Sequence, residues 1–284
     1  MSKLLIKNIK SLVQVRETNV NKVCGKDMSV LPCIENAWLA IDNGLIADFG
    51  SDELCSIQSD QIIDARGGMV LPTFVDCHTH LVFPASREDE FVMKIKGISY
   101  AEIARMGGGI LNSAAKLRLL SEDELFDISL PRLKEAMRLG TGAIEIKSGY
   151  GLDTTSELKM LRVARRLGNH SGIPVRTTFL GAHTVPKGFE KADYIRLVID
   201  EMIPAVAAEN LADYIDVFCE NGFFTYDDSV EILSAGKKFG MTPRVHANQL
   251  SNSGGIEAGI FTQAISVDHL ECAGDKEIEL LKNS

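Results

Sequence analysis

Two histidines stand two residues apart, directly after the apolar run Met69–Phe74. Alternate residues of a β-strand point to the same face, so His78 and His80 can both offer a ring nitrogen to one metal ion. Imidazole is a ligand that zinc, iron and other transition metals accept. The spacing therefore predicts a metal site at the end of a strand, with a pair of exposed loop histidines as the alternative.

Further histidines follow the other apolar, strand-like runs of the chain. The candidate strands are 69–75, 141–147, 174–181, 213–219, 242–247 and 264–269. His183 follows the third strand, His246 lies on the fifth with Gln249 just after it, and His269 ends the sixth. A (β/α)8 barrel builds its active site from the C-terminal ends of its strands. Five of the six histidines are therefore predicted to meet at one mouth.

The segments between these strands have the pattern of amphipathic helices. Their predicted starts pair a capping Ser or Thr with an acid three residues later, at Ser121–Glu124, Thr154–Glu157 and Thr225–Asp228. Apolar strands that alternate with such helices are typical of parallel βα units. We predict an α/β fold in which residues 67–284 form a TIM-like (β/α)8 barrel, incomplete, with about six strands present.

Residues 1–66 show a different pattern, with short stretches of alternating polarity. The sequence Asp42-Asn43-Gly44 between two such stretches predicts a tight hairpin turn. This part of the chain is predicted to be a small N-terminal β-sandwich lobe.

Composition limits the classes of partner. The net charge of −9 argues against nucleic acid and against an anionic membrane, since both prefer a basic surface. A small-molecule substrate is expected instead. The start of the chain lacks the apolar core of a signal peptide, and no apolar run of 18 residues follows. Six scattered cysteines without a Cys-x-x-Cys pair favour a reducing cytoplasm.

Several longer motifs resemble those of one enzyme family. In chain order they are Ser86–Phe91, Gly107–Ile110, Glu145–Leu152, Phe179–His183, Val245–Gln249 and Val267–Leu270. On these segments the sequence resembles the imidazolonepropionases, members of the metal-dependent amidohydrolase superfamily. The resemblance implies hydrolysis of the ring C–N bond of 4-imidazolone-5-propanoate to N-formimidoyl-L-glutamate in histidine degradation, by a metal-activated water.

The resemblance also implies a ligand set and a quaternary state. His78, His80 and His246 would bind one Zn²⁺ or Fe³⁺ ion per chain. Three imidazoles leave coordination positions open, as a catalytic site requires. A homodimer is implied as well.

The remaining site residues are likewise implied by the resemblance. Arg87 would hold the propanoate carboxylate, which suits a guanidinium fork. Tyr150 and His183 would contact the imidazolone ring and its oxygen. Gln249 and His269 would lie beside the attacked carbon, His269 as proton shuttle or transition-state stabiliser. Gln249 is expected to bind substrate and to take part in catalysis, although an amide has no useful pKa for a general base.

One departure from the family pattern leaves alternatives open. The superfamily barrel has eight strands with a metal-binding Asp after the eighth, whereas six strands are predicted here. The chain is therefore expected to be C-terminally truncated and inert by itself. If it were active, its base would have to be sought among Glu220, Gln249 and His269. The alternatives are another cyclic-amidine or cyclic-amide hydrolase or deaminase, and a non-catalytic metal-binding fragment.

Overall fold

The computed structural model describes residues 3–16, 20, 22–59, 61–98, 102–103, 106 and 108–284. The chain divides into two compact units, Met1–Thr73 and Phe74–Ser284. Residues 67–73 lie with the first unit because Met69–Val70 pairs with a strand of the first sheet. The division therefore falls seven residues after the end of the lobe expected from the sequence.

The described part of the first unit is built on one five-stranded sheet. Its strands are β1 (Leu4–Val13), β2 (Cys33–Asp42), β3 (Leu45–Ser51), β4 (Gln61–Asp64) and β5 (Met69–Val70), with short 3-10 helices at Gly25–Ser29 and Asp52–Leu54. The order is β3-β2-β1-β4, and β5 also pairs with β1. Asn43 and Gly44 have φ values of 53° and 80°, the left-handed conformation that a tight hairpin needs. The predicted turn is confirmed.

The second unit contains a six-stranded sheet that is parallel throughout. Its strands are β6 (Phe74–Asp76), β7 (Thr141–Lys147), β8 (Val175–Ala182), β9 (Tyr214–Cys219), β10 (Thr242–Ala247) and β11 (Ser266–His269), paired in chain order. The predicted first strand, 69–75, is wrong because it splits between the two sheets. Pro72 lies in the gap, where its missing N–H cannot donate to a ladder.

Among the described residues, helices lie between the parallel strands and after the last of them. They are α1 (Glu88–Ile95), α2 (Ile110–Leu119), α3 (Glu122–Arg138), α4 (Thr154–Ser171), α5 (Lys191–Leu197), α6 (Ile203–Ala208), α7 (Tyr226–Lys238), α8 (Gly255–Thr262) and α9 (Asp275–Lys282), with a π-helical turn at Val198–Met202 between α5 and α6. Within the parts of the chain that the structure describes, no helix is long and apolar enough to cross a membrane.

Two of the three predicted capping boxes are confirmed, those that begin α3 and α7. The third is wrong. The N-cap of α4 is Asp153, whose carboxylate accepts a hydrogen bond from Ser156 N at 2.8 Å. Thr154 is the first residue inside the helix. The side chain of Glu157 does not cap the helix and instead accepts hydrogen bonds from the backbone of Gly149–Leu152.

The core of the second unit is packed between the sheet and its helices. Buried apolar residues of β7 and helices α2 to α4 form one cluster, and those of β8 to β10 and helices α5 to α8 form another. Because all six strands run in one direction, their C-terminal ends lie at one edge of the sheet. Residues that follow the strands are therefore brought together there.

Candidate active site

A cavity of about 420 Å³ opens at the C-terminal ends of the strands of the second unit. All eight site residues expected from the sequence line it. They are His78, His80, Arg87, Tyr150, His183, His246, Gln249 and His269. Lys94, Ile110, Phe218 and Leu250 complete the wall. The structure thus brings together residues at the ends of five strands, β7 to β11, with residues of the segment after β6.

Three imidazoles of this wall form a tight cluster. One ring nitrogen from each of His78, His80 and His246 lies within 4.8 Å of the others. The two Nε2 atoms of His80 and His246 are 3.3 Å apart. Residues that follow β6 supply the first two rings, and β10 supplies the third from its buried face.

Carboxylates lie behind two of the three rings. His78 Nδ1 is 2.8 Å from Asp268 Oδ2. His246 Nδ1 is 2.9 Å from Asp216 Oδ2, a contact distance outside hydrogen-bond geometry, and Asp216 Oδ1 accepts from His246 N at 3.1 Å. A carboxylate at Nδ1 favours a proton on that nitrogen and leaves the Nε2 lone pair for a ligand.

The donor set of this cluster fits a metal ion. Burial, with the neighbouring His183 and His246, holds the pKa of His80 well below its usual range. Burial also lowers the pKa of His246, against the opposing charge of Asp216. Neutral imidazoles have the lone pairs that metals bind. His80 Nδ1 is buried and has no hydrogen-bond partner among the described residues.

A buried lysine lies beneath the histidine cluster. Lys147 Nζ is 2.9 Å from Glu145 Oε1, 2.9 Å from Asp216 Oδ2 and 3.6 Å from Asp268 Oδ2. Burial alone would lower the pKa of Lys147, but Asp216 and Glu145 raise it above its usual value. The ammonium group is therefore charged and bridges both carboxylates that stand behind the histidines.

Arg244 extends the same network. Its Nη2 atom donates to Asp268 Oδ2 at 3.1 Å and to the carbonyl of Cys77 at 2.9 Å. These charged residues were not among the site residues predicted from the sequence. Their spacing could have revealed them, because Glu145 with Lys147, and Arg244 with His246, stand two apart in mainly apolar strands and so share a face.

Arg87, the predicted carboxylate clamp, also lines the cavity. The guanidinium carbon of Arg87 lies 5.9 Å from the centre of the Tyr150 ring. Arg87 Nη1 is 3.6 Å from Glu90 Oε2, and the other oxygen of Glu90 accepts from Gly109 N at 2.9 Å. The clamp is thus tied to the start of α2. The first glycine of the Gly107–Ile110 motif lies outside the described residues.

His183 and Tyr150 pack against the histidine cluster. The rings of His183 and His80 stack with centroids 5.2 Å apart, and the Tyr150 ring is 5.6 Å from His80. His183 Nδ1 donates to the carbonyl of Gly149 at 2.9 Å. Burial lowers the pKa of His183 to about 3, so its ring is neutral near pH 7.

His269 lies on the far side of the cluster, with its ring centroid 5.0 Å from those of His78 and His246. Its φ of 79° is in the left-handed region, a strained conformation for this residue type that occurs at functional positions. Burial lowers the pKa of His269. The negative charge of Glu271, 3.5 Å from Nδ1, acts in the opposite direction but does not cancel the effect of burial.

Glu220, the carboxylate after β9, is engaged with a neighbouring loop. Its oxygens accept from Leu250 N at 2.8 Å and from Asn221 N at 2.9 Å. Burial alone would raise the pKa of Glu220, but the hydroxyl of Ser251 and these amides lower it. Glu220 is therefore ionised, and both its oxygens already accept hydrogen bonds from the loop that carries Gln249 and from Asn221. It is not placed to accept a proton in the cavity.

The second unit combines a parallel βα sheet with histidines at the ends of its strands around one cavity. Solved structures share this fold. Ochratoxinase from A. niger matches 99% of this chain and 63% of its own, with a TM-score of 0.63 at 16% identity. Guanine deaminase from C. acetobutylicum matches 99% and 65%, with a TM-score of 0.60 at 15% identity.

Sequence relatives then give the family. The imidazolonepropionase of Christiangramia forsetii is 52% identical over 284 residues, which cover 99% of this chain and 69% of that relative. That of Thermoanaerobacter pseudethanolicus is 42% identical over 92% of this chain and 63% of its own length. No family model matches the chain. The chain belongs to the imidazolonepropionase family and spans 63% to 69% of the length of these curated relatives.

Proposed function

We propose that this protein hydrolyses the ring C–N bond of 4-imidazolone-5-propanoate and releases N-formimidoyl-L-glutamate. The observation that carries the proposal is the placement of three clustered imidazoles and a guanidinium in one cavity. The three imidazoles can hold a metal ion, and the guanidinium of Arg87 can hold a carboxylate. Membership of the imidazolonepropionase family supports the same reaction.

His78, His80 and His246 would hold one Zn²⁺ or Fe³⁺ ion. When bound, the ion would supply Lewis-acid activation of water for attack on the ring. Asp268 and Asp216 keep two of these rings oriented, since each carboxylate lies within 3 Å of an Nδ1 atom, at 2.8 Å and 2.9 Å.

Arg87 would bind the propanoate group of the substrate. Its guanidinium lines the cavity and lies over Tyr150, so an anionic tail bound there leaves the substrate ring beside Tyr150 and His80. A neutral nucleobase has no group that requires this cation. The clamp therefore favours the imidazolone over the nucleobases on which deaminases of this fold act.

His269 would handle protons at the reacting carbon. Its pKa is lowered by burial, so at neutral pH the ring is neutral and can take a proton from the attacking water and then give it to the leaving nitrogen. Gln249 would hydrogen-bond to the substrate through its amide, because its loop is held in place by Glu220.

The proposal includes a homodimer and a cytoplasmic location. The family resemblance supports the dimer, and six cysteines without a disulfide support a reducing compartment. Sedimentation equilibrium of the purified protein tests the dimer directly, since a mass of one chain would contradict it.

The function is tested with this chain joined to the part of the Christiangramia forsetii relative that it does not cover, beside the 284-residue chain alone, which is expected to be inert. Each protein is loaded separately with Zn²⁺ and Fe³⁺. Imidazolone propanoate, guanine and cytosine are supplied in parallel, and products are identified by mass spectrometry. We expect N-formimidoyl-glutamate from the first substrate and no ammonia from the other two. Ammonia release from a nucleobase without hydrolysis of imidazolone propanoate would instead assign a deaminase.

A further inference from the structure

Glu157 is a fully buried carboxylate that does not face the cavity. It lies in the first turn of α4 and is 0% exposed. Its Oε2 atom accepts from Gly149 N at 2.9 Å, and its Oε1 atom accepts from Gly151 N at 2.7 Å and Leu152 N at 2.9 Å. The hydroxyl of Ser148 is a further donor. One side chain thus satisfies the backbone of the loop that carries Tyr150.

The loop has little freedom to lie elsewhere. A Cβ atom at Gly151 would come within 2.5 Å of Glu157 N, and one at Gly149 within 2.8 Å of His183 Nδ1. Gly149 also has a φ of 108°, which a residue with a side chain rarely adopts. The two glycines therefore allow the loop to pass between Glu157 on one side and His183 on the other.

The carbonyl of Gly149 determines the chemical form of His183. A carbonyl oxygen only accepts, so the contact of 2.9 Å places the ring proton on Nδ1. In the neutral ring the lone pair is then on Nε2. His183 lines the cavity, and this nitrogen is left as its acceptor.

We propose that Glu157 is a positioning residue that acts through the Gly149–Leu152 loop: it holds Tyr150 in the cavity wall and keeps His183 in the Nδ1–H form. His183 then accepts a hydrogen bond from a ring N–H of the substrate and does not donate one to the ring oxygen. This assignment of the substrate contact rests on the proposed function. The link from Glu157 to the His183 tautomer does not.

Glu157→Gln tests the link with little change in shape. The amide can keep its oxygen on Gly151 and Leu152, but it then presents an NH₂ group to the N–H of Gly149. The Gly149 carbonyl should shift, and His183 should populate both tautomers. With only six histidines, ¹⁵N-histidine labelling and long-range ¹H–¹⁵N NMR resolve these forms, and His183→Gln assigns the signal.

We expect a single Nδ1–H pattern for His183 in the wild type and a mixed pattern in Glu157→Gln. The value of kcat/KM should fall on the order of 10- to 100-fold, because displacement of a positioning group by about 1 Å has that effect. Leu133→Ala, a core change on α3, is the control: it should lower stability and leave the tautomer and kcat/KM unchanged.

An Nε2–H pattern in the wild type would overturn the proposal without any variant. So would identical His183 spectra for Glu157→Gln and wild type. If Glu157→Gln does not fold, Ser148→Ala removes one donor to Glu157 and should produce a smaller shift of the same kind. Suppose that Glu157→Gln changes the tautomer but the protein does not hydrolyse imidazolone propanoate. That result would support the positioning role of Glu157 and refute the proposed function.

Discussion

The three clustered imidazoles are held to different degrees. His78 is fixed by Asp268 at 2.8 Å. His246 is held by the hydrogen bond from its backbone N–H to Asp216, and its ring only touches the same carboxylate at 2.9 Å. His80 Nδ1 has no hydrogen-bond partner in the described parts of the chain. His80 therefore depends most on stacking with His183 and on a bound ion for its orientation.

His246→Ala should abolish tight metal binding. Two imidazoles would remain where three converge, and loss of a hydrogen-bond partner of a ligand alone weakens metal affinity by about 10–100-fold. The loss of a ligand should exceed that. Metal content after dialysis, measured by atomic emission, checks the expectation. His170→Ala is the matched control because His170 is exposed on α4, and full metal content in both variants would refute the ligand assignment.

Arg87→Lys should raise KM for imidazolone propanoate far more than it lowers kcat. The carboxylate is remote from the bond that breaks, so the lost guanidinium fork removes binding that is equal in ground and transition states. The loss is on the order of 2–4 kcal/mol, which is roughly 30- to 1,000-fold in KM.

The matched control for Arg87 is Arg166→Lys. Arg166 also lies over an aromatic ring, Phe126 at 4.0 Å, and pairs with an acid, but it is on the surface. Steady-state kinetics of both variants decide the role. A fall in kcat alone for Arg87→Lys would show that Arg87 does not bind the remote carboxylate.

At the scale of elements, local patterns predicted the strands and most helix starts, and tertiary contacts explain the exceptions. Strands 141–147 and 242–247 lie where the sequence placed them, because apolar runs between helices are strongly marked. The start of α4 was misplaced by one residue. Asp153 and Thr154 are both good caps, and the choice depends on Glu157, which the loop Gly149–Leu152 engages.

The same limit applies to the candidate site. His78 and His80 follow the end of β6 and His246 lies on β10, so their convergence follows from the common direction of the strands. The strand periodicity expected for His78 and His80 does not apply, because β6 ends at Asp76. The contact of Lys147 with Asp216 joins residues 69 positions apart, and it depends on how neighbouring strands align. This alignment cannot be predicted from the local sequence around either residue.

Gly236 marks where α7 packs on β9. A Cβ atom there would lie 2.3 Å from Cδ1 of Ile215, which is fully buried. Gly236→Ala should therefore destabilise the protein by about 1–3 kcal/mol through overpacking, partly offset by the helix propensity of Ala, about 1 kcal/mol.

Urea denaturation of Gly236→Ala and of Gly236→Ala with Ile215→Val measures this contact. The double variant should recover part of the loss because Val lacks the clashing Cδ1 atom. Glu231→Ala, at an exposed position of the same helix, should change stability little. Stabilisation by Gly236→Ala alone would mean that helix and sheet are less tightly packed than this geometry implies.

On the scale of the whole second unit, one network of charges joins strands that are distant in sequence. Glu145 and Lys147 come from β7, Asp216 from β9, Arg244 from β10 and Asp268 from β11. It lies under the candidate metal site, so the fold and the ligand geometry share the same interactions. Such networks stabilise only while every charge keeps its partner.

Lys147→Met should therefore destabilise the protein by about 3–5 kcal/mol, since it leaves buried carboxylates without their cation.

Burial alone would raise the pKa of Asp216, but His246 and Lys147 hold it well below its usual value of 3.8. A lowered carboxyl pKa contributes stability above the unfolded pKa, and that contribution is lost as the pH falls through the folded value. Without Lys147, the pKa of Asp216 should rise, and acid unfolding should begin at a higher pH than in the wild type.

Urea unfolding between pH 7 and pH 3, in roughly single-unit steps, tests both the loss of stability and the shift of acid unfolding. Arg138→Met, which breaks an exposed pair with Glu135, is the control and should shift neither curve appreciably. Equal stability of Lys147→Met and wild type across this range would mean that the lysine is replaceable by apolar packing.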